Sequence, residues 1–323
     1  MHSFEYFSAP DVKTAVSLLK DPRNDLLAGG TDVLGQMKRR IRNPERLVNI
    51  KNIESLKGIR DEGETIRIGA LALVSEIEGH PGIAEKLPSL RAAASLVGSP
   101  QLRNMGTLGG NLCQRPRCWY FRNHRFPCWL KGGEKCFAVA GENKLHRIAG
   151  EGVCHSVHPS DLAPVLISLG ARVKIAAPRG EREIPLEDLY MLPRKENRQT
   201  TVLKLGEILT EVAVPANQRN GRGVFLKLME RKAWSFAVVS IALHLQLKDN
   251  RIADPRILVG GAAPIPWRTV EAEKVLAGKE PDEEVIAQTV EAAVSGVRPM
   301  RDNGYKVPLL KSLVRKVLEE MRV

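Results

Sequence analysis

All five cysteines of the 323-residue chain lie between Cys113 and Cys154, about an eighth of its length. Cysteines used as core filler do not all share one short segment. An odd number in a chain without a secretion signal is also a poor disulfide framework. Clustered thiols in a reducing compartment point to a metal centre. From Cys118 the gaps are nine, seven and seventeen residues, to Cys128, Cys136 and Cys154. No Cys-x2-Cys knuckle is present, which weighs against a zinc ribbon or finger. His124, His146, His155 and His158 lie in or just after the same stretch, so a mixed Cys/His zinc site is the chemical alternative. Each histidine taken singly reads as a surface residue.

Two glycine pairs form the second constellation. Leu26–Val33 (LLAGGTDV) is an apolar strand running into adjacent glycines, a hydroxyl and a carboxylate. Glycines at positive φ let successive backbone N–H groups converge into an anion nest that holds a pyrophosphate without a lysine; the plain alternative is a tight turn. The spacing matches neither the GxGxxG fingerprint nor a Walker loop. Thr107–Asn111 (TLGGN) is the second pair, and two such turns suit a ligand with two phosphates and a sugar. Asp161, in HPSDLAP, stands at the start of a helix, where Ser160 or Asp161 equally serves as N-cap.

These residues need elements to hold them. Pro10–Leu19 reads as a short amphipathic helix, Asp25–Ala28, Arg46–Ile50 and Thr65–Gly69 as strands, and Leu73–Val97 as helical. Ser160–Gly170 is helix-like and Arg172–Ala177 a strand, with Leu205–Pro215 closing the first large unit. Asn217–Gly223, polar and turn-rich, is the expected boundary. Strands follow at Val224–Met229, Phe236–Leu247 and Arg256–Gly260, then helices at Pro281–Val297 and Val307–Met321. Leu309, Leu310, Leu313, Val314, Val317 and Leu318 share one face of the last. Strands followed by helices describe an α+β unit.

Composition narrows the class. Forty-three per cent apolar and 27 per cent charged residues are ordinary globular values and rule out disorder and collagen-like repeats. The longest apolar stretches, Leu162–Ala171 and Phe236–Leu247, are broken by proline, glycine or polar residues and fall short of a membrane span. The amino terminus lacks a secretion pattern, so a cytoplasmic location is expected. Lys plus Arg exceed Asp plus Glu, 49 against 37, a net charge of +12. There is no long unbroken basic block and few aromatics interleave with the charge, so an acidic partner surface is expected rather than nucleic acid.

Taken in order, AGGTD, RNMGTLGGN, HPSDLAP, EILTEVAVP and FLKLMER resemble the FAD-binding subunits of the molybdenum hydroxylases, the xanthine dehydrogenase and carbon monoxide dehydrogenase family. The resemblance spans nearly the whole chain. It implies an α+β protein: a two-lobed, non-Rossmann FAD-binding domain over 1–216, with lobes of about 1–55 and 56–216, then a smaller α+β domain over 217–323. It implies that Leu26, Leu27, Ala28, Gly29, Gly30, Thr31, Asp32 and Val33 wrap the diphosphate. It implies Thr107, Leu108, Gly109, Gly110 and Asn111 as the second loop. By the same resemblance Val97, Asp161, Leu209 and Lys227 would line the flavin site, Lys227 by the K-x-x-x-R match with Arg231; its plain alternative is an outward strand residue.

Most of this family runs from GGN almost directly into the serine–aspartate motif. Here 48 residues separate Asn111 from Ser160, an insertion over 112–159 that holds the cysteines. The insertion is similar to that of the 4-hydroxybenzoyl-CoA reductase group, whose flavin subunit carries FAD and an additional [4Fe–4S] cluster. The match includes Arg117-Cys118-Trp119-Tyr120 and the Cys128/Cys136 pair. It implies Cys118, Cys128, Cys136 and Cys154 as ligands, with Cys113 either a packing residue of the glycine loop or a replacement for Cys154. Four thiolates on one wrapped loop suit a cube-shaped cluster. The loop's local charge of +5 (eight Lys/Arg, three Asp/Glu between Cys113 and Cys154) favours the more negative reduced state and reads equally as solvated charge.

The implied role is electron transfer, with no catalytic acid or base on this chain. Molybdopterin and two [2Fe–2S] clusters would sit on separate large and small subunits, in a dimer of heterotrimers. An acidic ferredoxin is the implied external donor. An oxidative hydroxylase subunit is the alternative within the family, and a zinc-bearing nucleic-acid-binding protein the alternative outside it.

Overall fold

The computed structural model describes residues 1–216, 221–249 and 251–321. Its first layer comprises β1 (Glu5–Ser8), α1 (Val12–Leu18), β2 (Asn24–Leu27), α2 (Val33–Lys38) and β3 (Arg46–Asn49). The strands form a parallel sheet in the order β1-β3-β2. Asp11 starts α1 by accepting a hydrogen bond from the Thr14 amide at 2.7 Å, and Ala15 and Val16 bury its apolar side.

The second lobe contains β4 (Ile59–Asp61), β5 (Thr65–Gly69), α3 (Val74–Gly79), α4 (Pro81–Lys86), α5 (Pro88–Ser95), α6 (Pro100–Arg103) and α7 (Leu108–Leu112). After the cysteine-bearing segment it resumes with α8 (Leu162–Ser168), β6 (Arg172–Ala177), β7 (Gly180–Pro185) and β8 (Ile208–Pro215). Its five strands run β4-β5-β8-β6-β7, all antiparallel. The expected long helix over 73–97 is three short ones. Pro81 and Pro88 each open a new helix at its first turn, where a missing N–H costs nothing.

The last unit is β9 (Arg222–Leu228), β10 (Val239–Lys248), β11 (Arg251–Gly260), β12 (Trp267–Arg268), α9 (Val270–Leu276), α10 (Glu283–Ala293) and α11 (Lys306–Glu320). The four strands are antiparallel in the order β12-β11-β10-β9. Residues 217–220 of the expected boundary lie outside the described residues.

Strand β10 explains how the units join. Val239, Ile241, Leu243 and Leu245 face a core shared with α9, α10 and α11, whereas Ala242 on the other face joins the core of the second lobe. The sheet is thus buried on both sides, and β9, β10 and β11 pack against α5 and α8. That packing carries side chains of the last unit to the first residues of α8. The stripe expected on α11 is the buried one, with Leu310, Leu313, Val314, Val317 and Leu318 inside.

Candidate functional site

Three adjoining chambers of about 360, 280 and 260 Å3 run through the molecule. The first and second share Thr31, Asp32, Thr107, Gly110 and Gln114. The second and third share Arg117, Pro159, Asp161, Trp234, Ser235 and Phe236. They form one elongated cleft between the glycine loops and the last unit.

AGGTD lies where β2 enters α2. Gly30 has φ +75°, a left-handed conformation that favours glycine. Gly29 lets the two lobes touch, since a Cβ there would sit 1.8 Å from the Met105 carbonyl oxygen. Among the described residues, no hydrogen bond engages the amides of Gly29, Gly30, Thr31 or Asp32. They are free donors at the mouth of the first chamber, as an anion nest requires. TLGGN is different. The amides of Leu108 and Gly109 donate to the carbonyls of Ala72 and Ala70, and that of Gly110 to Thr107 Oγ at 3.1 Å. This loop shapes the cleft and supplies few free donors.

Asp161 does not cap α8. Ser160 does, accepting from the Ala163 amide at 3.0 Å while donating to Asn111 Oδ1 at 2.6 Å; this ties the two motifs across the insertion. Asp161 pairs with Lys227, Nζ to Oδ2 2.7 Å, and the same ammonium donates to the Leu96 carbonyl at the end of α5 at 2.9 Å. The Lys227 side chain is fully buried, so it is not an outward strand residue. Burial pushes Asp161 up to about 6 against the lowering pull of that ammonium. Val97 lines the middle chamber. The side chains of Leu27, Leu108 and Leu209 turn into the cores instead. For Leu27 the register decides this, because β2 alternates half-buried and buried positions.

Asp32 holds the insertion. Its Oδ2 accepts from the Arg115 amide at 2.9 Å and from Gln36 at 3.0 Å. Its Oδ1 lies 2.7 Å from the Arg122 guanidinium and 3.3 Å from that of Arg117. Sequence reasoning missed this role; the concentration of arginine just after GGN was the available signal.

The insertion has almost no regular structure, one turn of 3-10 helix at Trp129–Lys131 and a bridge between Cys128 and Lys135. Its small core is Phe121, Cys128, Trp129, Leu130 and Cys154, with Cys118, Tyr120 and Phe137 packed on it. Cys118, Cys128, Cys136 and Cys154 all line one small cavity, walled by Tyr120, Phe121, Trp129, Leu130 and Phe137. None is in a disulfide. Burial pushes the thiols of Cys118 and Cys154 up to about 12 and about 11. Cys113 stands apart, lining the first chamber and packed on the second lobe's core.

No group of three or more His, Cys, Asp or Glu among the described residues converges as a single metal ion requires. Four of the five cysteines thus share one cavity wall. Two of the four histidines, His146 and His158, depart from the expected surface role. His124 is exposed, His155 half-buried, and His146 and His158 are buried. His146 Nε2 lies 3.2 Å from Cys118 Sγ, and burial lowers this ring to about 4. His158 packs edge-on to Tyr190 at 4.6 Å.

Comparison with known proteins agrees with this architecture. Residues 2–217 match the FAD binding domain in molybdopterin dehydrogenase, and residues 224–321 match the CO dehydrogenase flavoprotein C-terminal domain. The chain belongs to the FAD-binding subunits of the molybdenum hydroxylase family. It is 31% identical to the aldehyde oxidoreductase FAD-binding subunit PaoB of Escherichia coli (strain K12), covering 99% of this chain and 98% of that one. It is 28% identical to the carbon monoxide dehydrogenase medium chain of Hydrogenophaga pseudoflava, over 98% and 96%. The structure of carbon monoxide dehydrogenase from Hydrogenophaga pseudoflava lacking the Mo-pyranopterin moiety superposes with a TM-score of 0.78 at 26% identity, covering 98% of this chain and 96% of that chain. The free amides of AGGTD and the continuous cleft fit the FAD that the family implies.

Proposed function

We propose that this chain is the electron-transfer subunit of a heteromeric molybdenum enzyme, holding FAD in the cleft and a [4Fe–4S] cluster on Cys118, Cys128, Cys136 and Cys154. The observation that carries the reading is the set of four unbridged cysteines around one cavity whose wall, at Cys118 and Ser156, is also a wall of the cleft. FAD exchanges one or two electrons and an iron–sulfur cluster passes one, so the pair supplies a junction between two-electron and one-electron chemistry.

The protein's own part is binding and exclusion. The amides of Gly29–Asp32 would receive the diphosphate. The Asp161–Lys227 pair fixes charge deep in the cleft. The segment 234–238 covers it, with the Trp234 amide bound to the Gly98 carbonyl at 3.0 Å and Phe236 under the Arg117 guanidinium at 5.2 Å. No residue is assigned acid–base work on substrate. The partners in this reading are a large molybdopterin subunit and a small subunit with two [2Fe–2S] clusters, in a dimer of heterotrimers.

The cysteine insertion supports a reductive complex of the 4-hydroxybenzoyl-CoA reductase kind, fed by a ferredoxin. A second reading is an oxidative hydroxylase, and the 31% identity to an aldehyde oxidoreductase subunit over almost the full chain favours it. Anaerobic purification tests the shared part: a flavin spectrum with about four irons per chain supports it, and colourless protein carrying zinc overturns it. Assay of the co-expressed complex with aldehydes plus an acceptor, against an aromatic acyl-CoA plus a low-potential donor, separates the two readings.

A further inference from the structure

We infer that His146 is a positioning residue for the cluster: it hydrogen-bonds the Cys118 sulfur at the wall between cysteine cavity and cleft and raises the cluster's reduction potential. The inference rests on the iron–sulfur reading above.

Cys118 lines both the cysteine cavity and the third chamber of the cleft, and His146 lines that chamber beside it. Two side chains among the described residues hydrogen-bond to the four sulfurs: His146 to Cys118, and Ser156 Oγ to Cys154 Sγ, each at 3.2 Å. Both stand on the cleft side. The nearby cations are committed elsewhere. Lys131 donates to the carbonyls of Tyr120 and Asn123, and Arg147 to those of Gly150 and Gly152. They act on the sulfurs through charge, whereas His146 reaches one directly.

The ring's proton can be placed. His146 Nδ1 is buried with no hydrogen-bond partner. Nδ1 is unpaired in either tautomer, but only a ring protonated on Nε2 offers a donor, instead of a lone pair, to the thiolate that iron binding would create 3.2 Å away. The ring is also held firmly. Its residue's carbonyl accepts from the fully buried Lys306 at 3.0 Å and from Asn303 at 3.1 Å, and its amide donates to the Asn143 carbonyl at 2.9 Å. Trp119 packs edge-on at 5.2 Å. Lys306 bonds the Gly261 carbonyl as well, at 2.9 Å, so the anchor belongs to the last unit. A hydrogen bond to a ligand sulfur stabilises the added electron of the reduced cluster and raises its potential.

The test uses the purified complex with His146→Leu and His146→Gln, read by EPR-monitored redox titration beside iron and flavin content. His146→Leu should keep both contents and shift the cluster equilibrium about tenfold toward the oxidised form, about 59 mV lower for one electron. His146→Gln, which restores an N–H, should recover much of the shift. Ser156→Ala should move the potential in the same direction by less. Iron loss confined to His146→Leu, with near-wild-type potential in His146→Gln, also supports the assignment. An unchanged potential in His146→Leu overturns it, as does iron loss in both variants. A three-iron signal in both would make His146 a ligand and overturn it too. Wild-type complex without any cluster signal would remove the iron–sulfur reading itself, a result visible before any variant is made.

Discussion

The cleft takes its walls from the ends of regular elements: AGGTD between β2 and α2, Thr107–Asn111 on α7, Asp161 before α8 and Lys227 on β9. The cysteine cavity takes its walls from a segment with one turn of 3-10 helix and a core of only five buried side chains. The difference lies in what holds each in place. The cleft residues are fixed by sheet register and by a large apolar core, which resists local change. The insertion is fixed by ties to carbonyls and by charge. Arg198 donates to the carbonyls of Trp129 and Gly133 while lying over the Trp129 ring at 5.0 Å. Asp32 gathers the arginines of the loop. On the proposed reading, a cluster held by the thiols would add order to this long irregular segment, which has so little apolar burial of its own.

The comparison breaks most sharply at the cysteines. Cys128→Ser or Cys136→Ser should reduce iron from about four per chain to near zero while flavin absorbance persists. Proteolysis should then cut within 113–159 and spare the rest; undiminished iron would remove these residues as ligands. Gly30→Val should do the reverse. A β-branched residue at φ +75° costs about 1–2 kcal/mol and crowds the nest, so FAD affinity should fall roughly tenfold or more with iron unchanged. Flavin titration of the apoprotein measures it.

Asp32→Ala should blur the two regions, because one carboxylate serves both. Removing it leaves the buried Arg122 guanidinium with its bonds to the Pro116 and Arg115 carbonyls but without its counter-charge, a loss of about 3 kcal/mol, and iron and flavin contents should decline together. Retention of both would show that the arginine ties are dispensable. The smallest effect concerns the anchor of His146. Burial lowers Lys306 to about 7, below its unfolded value of about 10.4. Its unfolded form therefore binds more protons between those values, and stability contributed by this group is present above about pH 10 and lost as pH falls through about 7. Lys306→Met should flatten that slope in urea midpoints measured at pH 7 and 9.

Much of the scaffold was legible in the residues. Thr65–Gly69 and Arg172–Ala177 are strands over the expected spans, since alternation reports a half-buried strand directly. Other elements were silent. Gly180–Pro185 is a polar edge strand with no buried position, so it exists by pairing with β6 and leaves no periodicity. The family motifs marked the cleft, yet nothing in HPSDLAP said that Ser160 would take the cap and leave Asp161 for Lys227. His146 and His158 misled for the same reason, because a residue in a loop carries no pattern that reports its burial.

The chain order alone determined the two glycine loops, the clustering of cysteines and the family, because these depend on residue type and spacing. Only the tertiary structure decided that four of five cysteines share one cavity and that Cys113 belongs elsewhere. It alone brought Lys227 to Asp161 across 66 positions and set His146 against a sulfur. Contacts between distant segments are fixed by packing of the units, which local sequence does not encode.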